Sequence, residues 1–166
     1  MDFKDKVVLV TGSSRGIGAA VAKGFSKEGS TVAINYKNNE NIAKQVVEDC
    51  KKLGGTASSF KFDVTKPLEA ISLIDSVQSE FGKIDILVNN AFRPYQFNPD
   101  KRKMFWELDW KHYESQIEGS LLSTFTLCKA ISPLMQKRAA GSIVNITTDL
   151  ISKPSIPYHD YTTCLL

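Results

Sequence analysis

The sequence has no apolar run approaching the roughly 18 residues a membrane-spanning helix needs, which excludes an embedded protein. Its start, Met1-Asp2-Phe3-Lys4-Asp5-Lys6, leads directly into a strand-like segment, so the chain is expected to be neither exported nor anchored. Cysteine is scarce: three in 166 residues, Cys50, Cys128 and Cys164, far apart and without a CxxC pair. That excludes a disulfide framework and a cysteine-based zinc site and fits a reducing cytoplasm. Histidine is scarcer, His112 and His159 alone, with no metal-ligand spacing, and both are expected at the surface. An excess of one charge is also missing, because 21 basic against 18 acidic residues leave +3, giving no reason to expect a nucleic-acid or membrane partner. With no linker and no internal repeat, residues 1–166 read as a single domain, and 42% hydrophobic with 23% charged residues is an ordinary soluble make-up.

What is present is alternation. Val7 to Val10, Thr31 to Ile34, Ile84 to Val88 and Ser142 to Ile146 are short apolar runs rich in β-branched residues, each the pattern of a buried parallel strand. Between them lie helix-length segments with apolar residues at helical spacing: Ile42, Val46, Val47 and Leu53, then Leu68, Ile71, Ile74, Val77 and Phe81. The pattern predicts strands near 6–11, 31–36, 57–62, 84–89 and 141–147, and helices near 16–28, 39–53, 67–81 and 106–138. Strand-helix alternation requires right-handed crossovers, hence a Rossmann-like, doubly wound α/β sheet of about five parallel strands. Gly54-Gly55 after Lys51 and Lys52 reads as a helix C-terminus, and Thr65 as the cap of the next helix, with Pro67 in its first turn. On the long fourth helix, Trp106 and Trp110 are expected to pack one face and Cys128 to lie in the core.

After the first strand comes Thr11-Gly12-Ser13-Ser14-Arg15-Gly16-Ile17-Gly18, a GxxxGxG spacing on a strand-to-helix turn. Glycines there let the backbone approach a pyrophosphate, and the new helix offers unpaired N–H groups to the anion. Alone this is a weak signal; its place between the first strand and the first helix makes it a dinucleotide site. Sites that prefer NAD put an acid at the end of the second strand, where this chain has Asn35-Tyr36-Lys37. Lys37 and Arg15 would attract a 2′-phosphate, so NADPH is the expected cofactor; the plainer alternative is that Lys37 is a solvated turn residue.

The Thr11 to Gly18 turn, Asp63-Val64, Asn89-Asn90-Ala91 and Tyr161, in that order, resemble the short-chain dehydrogenase/reductase family, most of all its 3-oxoacyl-acyl-carrier-protein reductase type. The resemblance implies an oxidoreductase that transfers hydride from NADPH to a carbonyl of a small-molecule or acyl-carrier-bound substrate. It implies that Gly12, Ser14, Arg15, Gly16, Ile17, Gly18, Lys37, Asp63, Val64, Asn90 and Ala91 bind the cofactor, Asp63 by accepting from the adenine amino group. Asn89 reads instead as a buried amide tying strands together. Of the family's catalytic Asn, Ser, Tyr and Lys, only the tyrosine is kept, as Tyr161. Thr148 stands at the serine's place, Ser120 at the asparagine's and Leu165 at the lysine's. A lysine there would lower the tyrosine pKa from about 10, so its loss predicts feeble activity. The resemblance also implies that the last strands and the rest of the catalytic helix are missing, as in a truncated reading of a longer reductase. A homo-oligomer, dimer or tetramer, is implied at full length, with Ile117, Leu121, Phe125 and Cys128 facing either a second copy or the interior. The alternative function is a non-catalytic NADPH-binding or sensor module. Residues 92–105 read as a solvated loop over the active-site mouth, the alternative being a surface for RNA or an acidic acyl carrier through Lys101-Arg102-Lys103.

Overall fold

A computed structural model describes residues 3–95, 98, 100, 103–148 and 158–163. Lys101, Arg102, Cys164 and Leu165, each given a part above, lie outside them. Five strands form one parallel sheet: β1 (Val7–Val10), β2 (Thr31–Tyr36), β3 (Thr56–Lys61), β4 (Ile86–Asn89) and β5 (Ser142–Asn145). Their order is β3-β2-β1-β4-β5. The chain winds outward from β1 to β3, then returns to the other side of β1, so the reversal falls between β1 and β4. Crevices at such a reversal are where ligands of this architecture bind.

Period-two alternation explains the layers. Val8, Val10, Val32, Ile34, Ile86 and Val88 point to one face, covered by α1 (Gly16–Lys27) and α2 (Glu40–Lys52). Val7, Leu9, Ala33 and Leu87 point to the other, covered by α3 (Pro67–Phe81) and α5 (Ser123–Lys137). Both faces of β1 are buried, as the continuous apolar run Val7 to Val10 implies. Gly54, at φ 97°, ends the turn after α2 in the left-handed region.

Five expectations are corrected. First, β5 is not a buried strand: all its residues are exposed, Ile143 at 37% and Val144 at 43%, because among the described residues it pairs only with β4. Second, the apolar stripes are only partly buried. On α3, Ile74 and Val77 are buried as the spacing implies, joined by Ala70 and Leu73, while Leu68 and Ile71 face solvent, as do Ile42 on α2 and Leu53 just after it. Third, Thr65 does not cap α3. Its N–H and hydroxyl both donate to Asp63 Oδ1 (3.1 and 2.7 Å), a carboxylate being the stronger acceptor, and Lys66 takes the cap position.

Fourth, the segment expected as one long helix is a 3₁₀ turn (Phe105–Glu107), α4 (Trp110–Ile117), a π turn (Glu118–Leu122) and α5. Gly119 lies in the π turn against Arg93, where a side chain on the glycine would overlap the Arg93 side chain. Hydroxyls take up carbonyls around it: Ser120 Oγ donates to Gln116 O (2.7 Å), Ser123 Oγ to Ser120 O (2.9 Å) and Thr126 Oγ1 to Leu122 O (2.8 Å). Fifth, the break puts Trp106 and Trp110 on separate elements, exposed at 79% and 68%, with Trp110 stacked on Tyr113 at 6.1 Å. No helix among the described residues is long and apolar enough to cross a membrane, and no group of three or more metal-ligating side chains occurs among them.

Candidate active site

The glycine-rich turn is fixed from two sides. From β4, Asn90 Nδ2 donates to the carbonyls of Thr11 (2.8 Å) and Gly12 (3.3 Å), and the N–H groups of Asn90 and Ala91 both donate to Thr11 Oγ1 (2.9 Å each). From β2, Asn35 accepts from Gly12 N through its side chain (3.1 Å) and from Ser13 N through its carbonyl (2.9 Å). The same Asn35 amide donates to Phe62 O (3.0 Å), so one buried side chain joins the turn to the end of β3. Gly12 sits at φ 59° and Gly16 at φ 56°, a region that favours glycine. Gly18 has a different reason: a Cβ there would stand 2.5 Å from Asn90 Nδ2.

These residues fit the phosphates of a dinucleotide. Open space surrounds Gly16, and Arg15, at the N-cap of α1, makes no side-chain capping hydrogen bond among the described residues, leaving the helix N–H groups to an anion. A groove of about 610 Å³ opens beside the turn, between Ser14, Arg15 and Gly16 on one side and Asn41, Ile42 and Gln45 on the other.

At the end of β2, Lys37 Nζ lies 2.8 Å from Asp63 Oδ2. Burial works against the Asp63 charge, but Lys37 and the two Thr65 donors outweigh it and hold the carboxyl below its ordinary value. Val64 packs into the core on the α3 side of the sheet.

On the far side of the turn, Asn89 Nδ2 donates to Asn145 Oδ1 (2.9 Å), linking β4 to β5, while its own buried Oδ1 has no hydrogen-bond partner among the described residues. Thr148, half-buried, follows β5, and Tyr161, also half-buried, lies on α6 (His159–Thr163). Its ring centroid is 5.0 Å from that of Tyr95, whose hydroxyl donates to Asp160 Oδ1 (2.7 Å). Burial pushes the Tyr161 phenol above its ordinary value. Burial and the Asp160 carboxylate do the same to Tyr95. Ser120 is buried in the π turn with its hydroxyl bonded back to the helix.

The structure thus joins the glycine-rich turn to Asn90 and Ala91, and Lys37 to Asp63. It places Ser120, Thr148 and Tyr161 on three separate elements. Three roles have no part in the sequence reading: Asn35 as the residue that pins the turn to β2, Thr11 as the hydrogen-bonding hub of the turn, and the Tyr95–Asp160 pair. Asn35 left a signal, a polar residue near the end of a buried strand; Tyr95, in an irregular loop, left none.

A parallel α/β fold with a glycine-rich turn at the sheet reversal defines a class, and the comparisons narrow it. The sequence profile described as "short chain dehydrogenase" matches residues 6–164. The chain belongs to the short-chain dehydrogenase family. It is 32% identical over 145 residues to 2-dehydro-3-deoxy-D-gluconate 5-dehydrogenase of Formosa agariphila, covering 87% of this chain and 53% of the relative. It is 33% identical over 144 residues to 3-oxoacyl-[acyl-carrier-protein] reductase of Staphylococcus epidermidis, covering 87% of this chain and 57% of the relative. Among solved structures, 7α-hydroxysteroid dehydrogenase complexed with NADH and 7-oxo glycochenodeoxycholic acid superposes with a TM-score of 0.84 at 29% identity, over 98% of this chain and 62% of that one. The chain therefore spans between half and two thirds of the length of these proteins.

Proposed function

We propose that the 166 residues are the larger part of one dinucleotide-binding domain, and that the chain serves an NADPH-dependent reductase of carbonyl compounds, 3-oxoacyl thioesters foremost. The observation that carries the cofactor reading is the end of β2. Tyr36-Lys37 stands where an acid would repel a 2′-phosphate, and Asn35 fixes that end against the glycine-rich turn. Similarity to the acyl-carrier-protein reductase supports the thioester.

In this reading the turn from Gly12 to Gly18, with Ser14, Arg15 and Ile17, binds the phosphates. Lys37, Asp63 and Val64 bind the adenosine end, and Asn90 and Ala91 line the approach to the nicotinamide. Bound nicotinamide supplies the hydride. Thr148 donates to the carbonyl oxygen and orients it, the Tyr161 phenol gives that oxygen its proton as the carbon accepts hydride, and Ser120 borders the proton path. A reducing cytoplasm suits the free thiols Cys50 and Cys128. Exposed Leu121 and Phe125 suit a homo-oligomer, and a small or acyl-carrier-bound carbonyl is the substrate partner.

One observation favours the second reading, a non-catalytic NADPH-binding or sensor module. Burial raises the Tyr161 pKa, whereas a working proton donor needs one nearer to neutral. Titrating the chain with NADPH by fluorescence and then adding an acetoacetyl thioester tests both. Tight NADPH binding with slow turnover that vanishes in Tyr161→Phe is the expected outcome. Binding with no turnover by the full-length protein that carries these residues selects the sensor, and tighter binding of NADH than of NADPH overturns the cofactor reading.

A further inference from the structure

The Lys37–Asp63 ion pair joins two residues so far given separate tasks at the adenosine end, and their register explains why they meet. Tyr36 lies opposite Lys61 in the β2–β3 ladder, and Phe62 N donates to Tyr36 O at 3.0 Å, so the residues that follow emerge side by side. The two partners are unequally held. The Lys37 side chain is 55% exposed and the Asp63 side chain 10%. Thr65 holds Asp63 Oδ1 with two donors, and the Asp63 N–H donates to Glu69 Oε2 at 2.7 Å. The ammonium can swing away, and the carboxylate cannot follow.

We propose that Asp63 is a second determinant of cofactor selectivity, acting through Lys37: its fixed carboxylate competes with a cofactor 2′-phosphate for the Lys37 ammonium. NADH leaves the pair intact. NADPH must share one ammonium between two anions, and its phosphate approaches a buried negative charge, which costs free energy. The preference for NADPH is accordingly smaller than Arg15 and Lys37 would give beside an uncharged residue. The inference rests on the dinucleotide reading of the site. Contact between Asp63 and the adenine amino group would be common to both cofactors and cancels in their ratio.

The test is the ratio of dissociation constants, NADH over NADPH, measured by fluorescence on the whole chain, on Asp63→Asn, on Lys37→Met and on the double variant. Asparagine keeps an oxygen for the Thr65 donors and removes the charge that holds Lys37. Asp63→Asn is expected to raise the ratio about threefold or more. Lys37→Met should lower it toward one, and Asp63→Asn should raise it clearly less when Lys37 is already gone. An unchanged ratio in Asp63→Asn, or an equal rise in both backgrounds, overturns this inference and leaves the dinucleotide site standing. Failure of the unmodified chain to bind either cofactor overturns both. Should Asp63→Asn not fold, the Lys37 side-chain NMR resonances of the unmodified chain decide. They should move on adding adenosine 2′,5′-bisphosphate and far less with adenosine 5′-monophosphate; equal movement overturns the inference.

Discussion

Single side chains at the strand ends carry more of this molecule than their number suggests. Asn90 is the only described side chain whose amide donates to both Thr11 O and Gly12 O, so Asn90→Ala leaves two carbonyls of the turn without that donor. Losing a buried partner of this kind costs about 1–3 kcal/mol. Urea unfolding should show that loss, and NADPH affinity should fall with it. Asp85 makes a pH-dependent contribution. It accepts from Val7 N at 2.9 Å and pairs with Lys83 at 2.9 Å. Burial opposes its charge, yet the Val7 N–H and Lys83 outweigh burial and hold its carboxyl below the ordinary value. A depressed folded pKa means stability that is complete above the unfolded value, about 3.9, and is lost as pH falls through the folded one. Unfolding followed from pH 6 downward should therefore show a shallower acid loss in Asp85→Asn than in the unmodified chain.

At the scale of elements, the glycine-rich turn depends on close approach as much as on glycine conformation. Gly18→Ala would put a methyl 2.5 Å from Asn90 Nδ2 and 2.8 Å from Gly12 O. Overpacking of this sort costs about 1–3 kcal/mol, and the variant should melt lower and bind NADPH more weakly, whereas Gly24→Ala, with open space around it, should do neither. The strands and α1 to α3 were legible because β-branched runs and helical spacing are local signals. The limits of α3's buried face were not, since Leu68 and Ile71 match the helical period as well as Ile74 and Val77 do, and only packing against β1 and α5 leaves the first two outside and brings Ala70 and Leu73 in. The π turn was hidden for a related reason: Ser120, Ser123 and Thr126 look like ordinary helix residues until their hydroxyls are seen on carbonyls of the preceding turn. The glycine-rich turn of the candidate site could be read from spacing. The Lys37–Asp63 pair could not, because it depends on how β2 and β3 are registered.

For the sheet as a whole, β5 pairs only with β4 among the described residues, and Ile143 and Val144, on its opposite faces, are exposed there; an apolar edge of this kind invites pairing with another chain. Sedimentation is expected to show self-association that grows with concentration and weakens in Val144→Lys; a chain that stays monomeric at all concentrations would contradict this. The hydrogen bonds around the glycine-rich turn also set an order of events. Thr11 Oγ1 and the Asn90 N–H are 79 residues apart, yet the turn needs Asn90, as well as Asn35, to hold its shape. During synthesis the glycine-rich turn therefore leaves the ribosome well before the residues that complete it. A nascent chain halted before β4 would already carry β1 to β3, but its glycine-rich turn would still lack one of the two clamps that shape it.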